Sequence, residues 1–421
     1  MRRLRRLPPA GAPIRLRDLR AWAQTAFAED DPVAALSAAV CARVGVRHCR
    51  VTRTGRAGLT LLLGALRDLA PGPRDEVIIP SYTCFSVPAA VVKAGLTPRV
   101  ADVVPDTLDY DIGRLERADF SRVLAVVATN LYGYPNDMPR LSTLANARGV
   151  FLVDDAAQAL GARVGGQHSG TWGDAGLYSF DKGKNVAAIA GGVVVSHSDA
   201  VAEALDARLG PLRSAPARRV AADLAKAAAY VAFLPPSLYW IPNRIPGLGL
   251  GRTRYTTAFA LERPPRVLAA LALSMLGRLD DFSAARRENT RRMLAGLSDL
   301  PGLAVVRAVP GAEPACLRLP LLVADPAARS RVLDAVNREV GGATMSYPLS
   351  TADIPELRGC MASRPDDAAG GRAVASAILT LPTHPFVSPR DADRVVAAVA
   401  DALRPSGSRT AASSRLRWST R

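Results

Sequence analysis

Lysine is nearly absent from these 421 residues. It occurs only at Lys93, Lys182, Lys184 and Lys226, and arginine supplies the rest of the positive charge. Any chemistry that needs a lysine amine therefore has four candidates. Cysteine is sparse too. Cys41, Cys49, Cys84, Cys316 and Cys360 are odd in number, widely spaced and form no C-x-x-C. That pattern argues against a disulfide scaffold or a zinc site and fits a reducing compartment. The basic start lacks a following apolar run, since Pro8, Pro9 and Pro13 come instead. No signal peptide is read, and the expected location is cytoplasmic. No metal site and no internal repeat are found.

Acid is scarce at both ends. Residues 1–22 carry seven Arg against one Asp, and residues 402–421 carry five Arg and no acid. Of the net charge of +16, the ends hold +6 and +5, leaving +5 on the body. Such ends read as solvated tails. No aromatic-studded basic patch or zinc-finger spacing accompanies them, so no nucleic-acid partner is expected. Hydrophobic residues make up 49%, the proportion of a soluble globular chain long enough to bury a large core.

The chain divides by pattern. Residues 1–50 read as an arm and a helix, with apolar positions recurring through Ala34–Val46. Residues 51–260 alternate short apolar runs with helical stretches. The runs include Asp75–Pro80, Pro98–Val104, Val123–Thr129, Gly149–Asp154 and Val193–Ser196. This alternation predicts an α/β fold whose mainly parallel sheet is covered on both faces. Residues 211–256 interrupt it with an Ala-rich helix over Ala221–Leu234 and a Pro- and aromatic-rich stretch to Gly251. That helix is too short to span a bilayer. It reads first as buried in a core or dimer interface. The alternative for 221–251 is peripheral contact with a membrane. Residues 261–404 read as one long helix over 262–300 and a smaller α/β domain, with strands Leu303–Ala308 and Cys316–Val323 and helices Ala328–Val340 and Pro389–Leu403. Residues 405–421 read as a disordered basic tail.

The chemistry concentrates in Phe151–Val195. A strand ends in two acids, Asp154-Asp155, and Lys184 lies 29 residues after the second, beyond Ser179-Phe180. A carboxylate at a strand's C-terminal end sits where open α/β sheets bind ligands. Pyridoxal-phosphate (PLP) chemistry needs this combination. A lysine forms the Schiff base and moves a proton, and an acid keeps the pyridine nitrogen protonated. Hydroxyls and backbone N–H groups hold the phosphate. Lys184, Asp155 and Ser179 suit the three roles. Taken singly, Asp155 reads equally as an N-cap or salt-bridge partner, and Lys184 as a solvated loop cation.

These residues resemble the DegT/DnrJ/StrS family of PLP-dependent sugar aminotransferases. The D-x-A-Q-A-x-G-A pattern reads as Asp155 to Ala162, and S-F-x-x-x-K as Ser179 to Lys184, followed by Gly191-Gly192. The S-G-T-A-A-L phosphate turn is similar to Thr54-Gly55-Arg56-Ala57-Gly58-Leu59. H-L-Y-G-x-P-x-D-M is similar to Asn130 to Met138, and L-P-x-H-P to Leu381 to Pro385, read as a structural strand end. The resemblance implies PLP fold type I: a large domain with a mainly parallel, seven-stranded mixed sheet flanked by helices, plus the smaller C-terminal α/β domain. It implies Lys184 as the Schiff-base lysine and Asp155 at the pyridine nitrogen. It further implies Gln158 by the phenolic oxygen, and Ser179 with the backbone of Gly55 and Arg56 on the phosphate.

The implied reaction is transamination of a nucleotide-linked keto sugar, with glutamate as amino donor, by a homodimer. The retained lysine disfavours the related dehydratases, which typically carry His there. Two alternatives stand: an aldolase or lyase of the same fold type, or a non-catalytic, membrane-docked member of a glycan-assembly complex. The sequence also departs from the family. Cys84 follows Thr83 where a cofactor-stacking aromatic is usual. Tyr82 and Phe85 are the neighbouring rings, though the register favours neither. The G-x-N-x-R segment that reaches the partner subunit is missing, with Arg252, Arg254 and Asn243 as substitutes.

Overall fold

The computed structural model describes residues 5–243, 254–362 and 365–404. Seven strands form the main sheet: β1 (His48–Thr52), β2 (Glu76–Pro80), β3 (Thr97–Ala101), β4 (Val123–Thr129), β5 (Phe151–Asp155), β6 (Ala175–Ser179) and β7 (Gly192–Ser196). Their spatial order is β1-β7-β6-β5-β4-β2-β3. β7 runs antiparallel to both neighbours, and every pairing from β6 to β3 is parallel. All seven residues of β4 are buried, as a continuous apolar run requires in a sheet covered on both faces. Adjacent residues face opposite ways. Val127 therefore packs with Leu62, Leu66 and Val91, and Val126 with Tyr110, Leu141 and Leu152.

The parallel strands end along one edge, at Pro80, Thr129, Asp155 and Ser179. Gly192 opens the reversed strand there, opposite both Thr52 and Ser179. A smaller antiparallel sheet of Ala304–Val305, Arg318–Leu322 and Ile378–Pro382 lies C-terminal. The helices Pro326–Glu339 and Pro389–Leu403 cover it through Val332, Val336 and Val395.

The long helix expected over 262–300 is two helices, Arg266–Leu276 and Leu279–Leu297. Met275 and Leu279 flank the break and both are buried, so the apolar periodicity runs through it unbroken. The break places Arg278 inward, where its guanidinium donates to the Pro13 carbonyl at 2.9 Å and to Asp18 at 2.7 Å. The arm also holds a helix not foreseen, Leu16–Ala26.

Among the described residues, the arm before that helix has no sheet to pair with beyond one bridge, Leu7 to Gly341. Buried side chains satisfy their backbone instead, as desolvated carbonyls demand. Arg318 donates to Pro9 O, His384 Nε2 to Pro8 O at 2.8 Å and Arg286 to Gly11 O at 3.0 Å. His384 is thus structural, as its motif was read.

The inserted helix spans Ala217–Phe233, and its apolar residues are not in a core. Ala221, Ala222, Ala225, Ala228, Ala229 and Ala232 are exposed, and Phe233 is 38% exposed. Its one buried residue is Asp223. The inward face is polar: Asp223 pairs with buried Arg53, and Tyr230 lies two turns on along the same face. Alanines look apolar in sequence but are small enough to stay at the surface, so the helix is not in this chain's core, and the dimer-interface half of the reading stands. No helix among the described residues is long and apolar enough to cross a membrane. The expected tail 405–421 and Arg252 lie outside the described residues, as does the Asn243 side chain.

Candidate active site

The carboxyl edge of the sheet gathers most of the residues singled out above. Asp154 and Asp155 end β5 and point to opposite faces. Asp154 is consumed structurally: it accepts from Asn130 Nδ2 at 2.7 Å and from the amides of Gly170 at 2.6 Å and Trp172 at 3.3 Å. Asp155 is 3% exposed, and only its Oδ1 is engaged, by the Ala157 amide at 3.0 Å. Burial pushes its carboxyl up to about 6, against the pull of the Ala157 N–H and the Lys184 charge. At neutral pH it is ionised, with Lys184 as the cation that acts on it.

Gln158 has its orientation fixed. Its Oε1 accepts the Tyr132 amide at 3.1 Å, so Nε2 must face the site, where it donates to the Tyr347 hydroxyl at 3.2 Å. Tyr132 holds this position at φ 56, a left-handed conformation that non-glycine residues rarely adopt.

The Gly55–Leu69 helix begins at the same edge. Thr54 caps it, its Oγ1 accepting from the Ala57 amide at 3.2 Å and its carbonyl from Gly58 at 2.9 Å. The amides of Gly55 and Arg56 find no acceptor among the described residues, which is the anion-binding geometry of a helix N-terminus. Ser179 closes the other side: a Cβ on Gly55 would sit 3.2 Å from its Oγ. Gly192 must also be glycine, because a Cβ there would lie 2.5 Å from the Gly55 nitrogen. The Arg56 side chain is not part of this cradle. Its guanidinium stacks 5.4 Å from the Phe259 ring centroid, a ring that also carries the Lys93 ammonium at 4.9 Å.

Lys184 is half-buried in the loop between β6 and β7. Its amide is tied to the Asp181 carbonyl at 3.0 Å. The next residue, Asn185, is 1% exposed, and neither end of its side-chain amide has a partner. The Thr83 and Thr129 hydroxyls are likewise buried and unpaired. Orphaned buried polar atoms cost about 1–3 kcal/mol each. With two free helix amides facing Ser179 and a half-free Asp155, they fit a phosphorylated, protonated heterocycle. Tyr82 is 1% exposed with its hydroxyl on the Tyr347 carbonyl at 3.1 Å, and Phe85 is packed with Ile354 and Leu357. Sequence reasoning missed Tyr347, Tyr230 and the Arg53–Asp223 pair. None has a local signal, since the bonds span 189, 48 and 170 residues.

This edge, on this strand order, defines the class of protein: an α/β chain of PLP fold type I. The chain matches the DegT/DnrJ/EryC1/StrS aminotransferase family over residues 16–215 and 263–400, and it belongs to that family. The unmatched stretch between them contains the inserted helix. A UDP-N-acetyl-3-dehydro-alpha-D-glucosamine 3-aminotransferase of Acidithiobacillus ferrooxidans is 39% identical over 40% of this chain and 45% of its own length. A dTDP-3-amino-3,4,6-trideoxy-alpha-D-glucose transaminase of Streptomyces venezuelae is 30% identical over 61% of this chain and 59% of its own. The chain thus spans about half the length of these curated relatives. Among solved structures, S. venezuelae DesV superposes with a TM-score of 0.73 at 25% identity, covering 92% of this chain and 95% of that one.

Proposed function

We propose that this chain is a PLP-dependent aminotransferase that aminates a nucleotide-linked keto sugar, with glutamate as amino donor. The observation that carries it is the convergence of Asp155, Gln158, Ser179 and the free Gly55 and Arg56 amides on the edge from which the Lys184 loop departs. The substrate class rests on the family and on the relatives named above, which act on UDP- and dTDP-linked sugars by name.

PLP, when bound, supplies an electron sink for charge developing at the substrate's amine-bearing carbon. The chain supplies the rest. Lys184 would hold the cofactor and would carry the proton at that carbon. Asp155 keeps a proton on the ring nitrogen, the interaction its buried carboxylate is poised to make. Gln158 presents Nε2–H to the phenolic oxygen. Ser179 and the helix amides hold the phosphate. The working form is a homodimer in the cytoplasm.

The test is the half reaction. Purified protein should lose its visible cofactor absorbance on adding glutamate and regain it with a keto sugar nucleotide. Silence toward every amino acid sinks the reading. Borohydride reduction and peptide mapping should place the phosphopyridoxyl group on Lys184. An adduct on Lys182 or Lys93 overturns the assignment. Sedimentation at micromolar concentration checks the dimer, and a monomeric active enzyme removes it.

A further inference from the structure

Tyr82, Phe85 and Tyr347 bring their rings to the segment Thr83-Cys84. Tyr82 and Phe85 are spent on packing, at 1% and 5% exposure. The third, Tyr347, comes from the C-terminal unit and stays partly open to solvent. Its ring centroid lies 5.9 Å from Tyr82 at a steep 62° and 6.0 Å from Phe85. Its hydroxyl reaches into the site, accepting from Gln158 Nε2 at 3.2 Å. The Cys84 thiol lies beside the same hydroxyl and is itself anchored by the Ser86 Oγ at 3.0 Å.

The segment that carries Tyr347 is fastened to the main sheet. Ser350 Oγ donates to the Ser81 carbonyl at 2.8 Å, and Thr351 Oγ1 to the Pro80 carbonyl at 2.9 Å. Both acceptors sit at the carboxyl end of β2. On its other side the segment pairs with the small sheet, the Thr344 amide donating to Thr380 O at 3.1 Å. Tyr347 therefore sits on a short bridge between the two sheets.

We propose that Tyr347 is the ring that packs on the cofactor in this chain, in room left by the small Cys84, and that its hydroxyl fixes Gln158 toward the cofactor's phenolic end. A planar heterocycle held between Asp155 and Gln158 needs an apolar neighbour on its open face. An aromatic ring supplies a stacking attraction beyond plain burial. A residue at position 84 is too short to do so when it is cysteine. Tyr347 touches both Cys84 and Gln158, which brackets that face from two sides. The consequence is that the C-terminal unit, rather than the β2 loop, governs how tightly the ring is held.

This inference rests on the PLP reading above, and its test separates the two. PLP affinity and the visible spectrum are measured for wild type, Tyr347→Phe, Tyr347→Ala, Cys84→Phe and the double variant. Tyr347→Ala should weaken PLP binding at least tenfold. Tyr347→Phe keeps the ring and should bind within threefold of wild type. It should also shift the pH midpoint of the bound cofactor's absorbance by half a unit or more, because Gln158 loses its acceptor.

The decisive comparison is the sign of Cys84→Phe in two backgrounds. In wild type the new ring competes with Tyr347 and should weaken binding. In Tyr347→Ala it fills vacated room and should restore at least fivefold of what was lost. An effect of the same sign in both backgrounds overturns the proposal, even if one single variant folds poorly. Wild-type affinity in Tyr347→Ala overturns it too. If wild-type protein binds no PLP, the reading beneath it falls and takes the proposal with it.

Discussion

Tyr230 donates its hydroxyl hydrogen to the carbonyl of Lys182 at 2.8 Å, two residues before Lys184. The same oxygen accepts the Ala12 amide at 3.2 Å. One side chain of the inserted helix thus joins the N-terminal arm to the lysine loop. Tyr230→Phe removes both bonds and leaves two backbone groups unpaired. The expected stability loss is about 1–3 kcal/mol. The freed loop should also shift the pH dependence of the bound cofactor's spectrum, which a merely structural bond would not do. An unchanged spectrum with lowered stability confines Tyr230 to folding.

The helix grips the other half of the site through Asp223 and Arg53, both over nine-tenths buried. Arg53 immediately precedes the capping Thr54. Breaking a buried pair strands a charge and costs about 3–5 kcal/mol, whereas replacing both partners with apolar residues is often mild. Asp223→Ala leaves Arg53 only the longer contact to Glu262 at 3.7 Å, so it should destabilise more than Arg53→Met with Asp223→Leu. Chemical denaturation of the three proteins decides it, and a double variant as weak as the single would count against a stranded charge.

Gly192→Ala tests the phosphate cradle. The new Cβ would meet the Gly55 nitrogen at 2.5 Å and its Cα at 2.6 Å, so the helix N-terminus must move. PLP affinity should fall at least tenfold. Gly72→Ala, where nothing lies within 4 Å, is the control and should be neutral. Equal affinities for the two variants would remove the close approach from the account.

The Asp155 carboxyl titrates at about 6, raised chiefly by burial. Only its ionised form can hold a protonated ring nitrogen. PLP affinity should therefore fall as pH drops through about 6, and Asp155→Asn should bind weakly without that inflection. Equilibrium dialysis across pH 5–8 reads the difference between the two proteins, and parallel curves would free Asp155 from the role.

His384 is held neutral, its imidazole lowered to about 3 first by burial. The unfolded imidazole takes its proton near 6.5. Below that pH the unfolded state binds more protons, so the His384 contribution to stability is lost as the solution is acidified toward pH 4. The slope is on the order of 1 kcal/mol per pH unit. Asp109, Asp154 and Asp155, each raised to about 6, act in the opposite sense. They are common to wild type and His384→Gln, so the difference in unfolding midpoints isolates the histidine. No difference in slope would mean that the imidazole titrates normally.

The sheet was readable because its signal is local. VLAVVAT and FLVDD announce buried strands without reference to anything distant. Asp155, Gln158, Ser179 and Lys184 were readable for a related reason: they lie within one strand–loop–strand stretch, at spacings a motif can hold. The helix break at Arg278 was hidden because Met275 and Leu279 keep the apolar face continuous across it. The inserted helix could not be placed in the core from sequence because alanine counts as hydrophobic yet can lie at the surface of one chain. Tyr347 was invisible for a third reason. It meets Gln158 across 189 residues, and no pattern in either neighbourhood records that meeting.

The threaded arm has a consequence for how the protein is made. Residues Pro8 to Pro13 leave the ribosome well before the groups that hold them. His384 lies 376 residues beyond Pro8, Arg318 lies 309 beyond Pro9, and Arg286 lies 275 beyond Gly11. Contacts of such sequence separation form late and slowly. During translation these carbonyls must wait in water until Arg286, Arg318 and His384 have emerged. A nascent chain stalled before Arg278 would hold the main sheet and its lysine loop but not the buried guanidinia that seat the arm. A segment synthesised early is thus locked late.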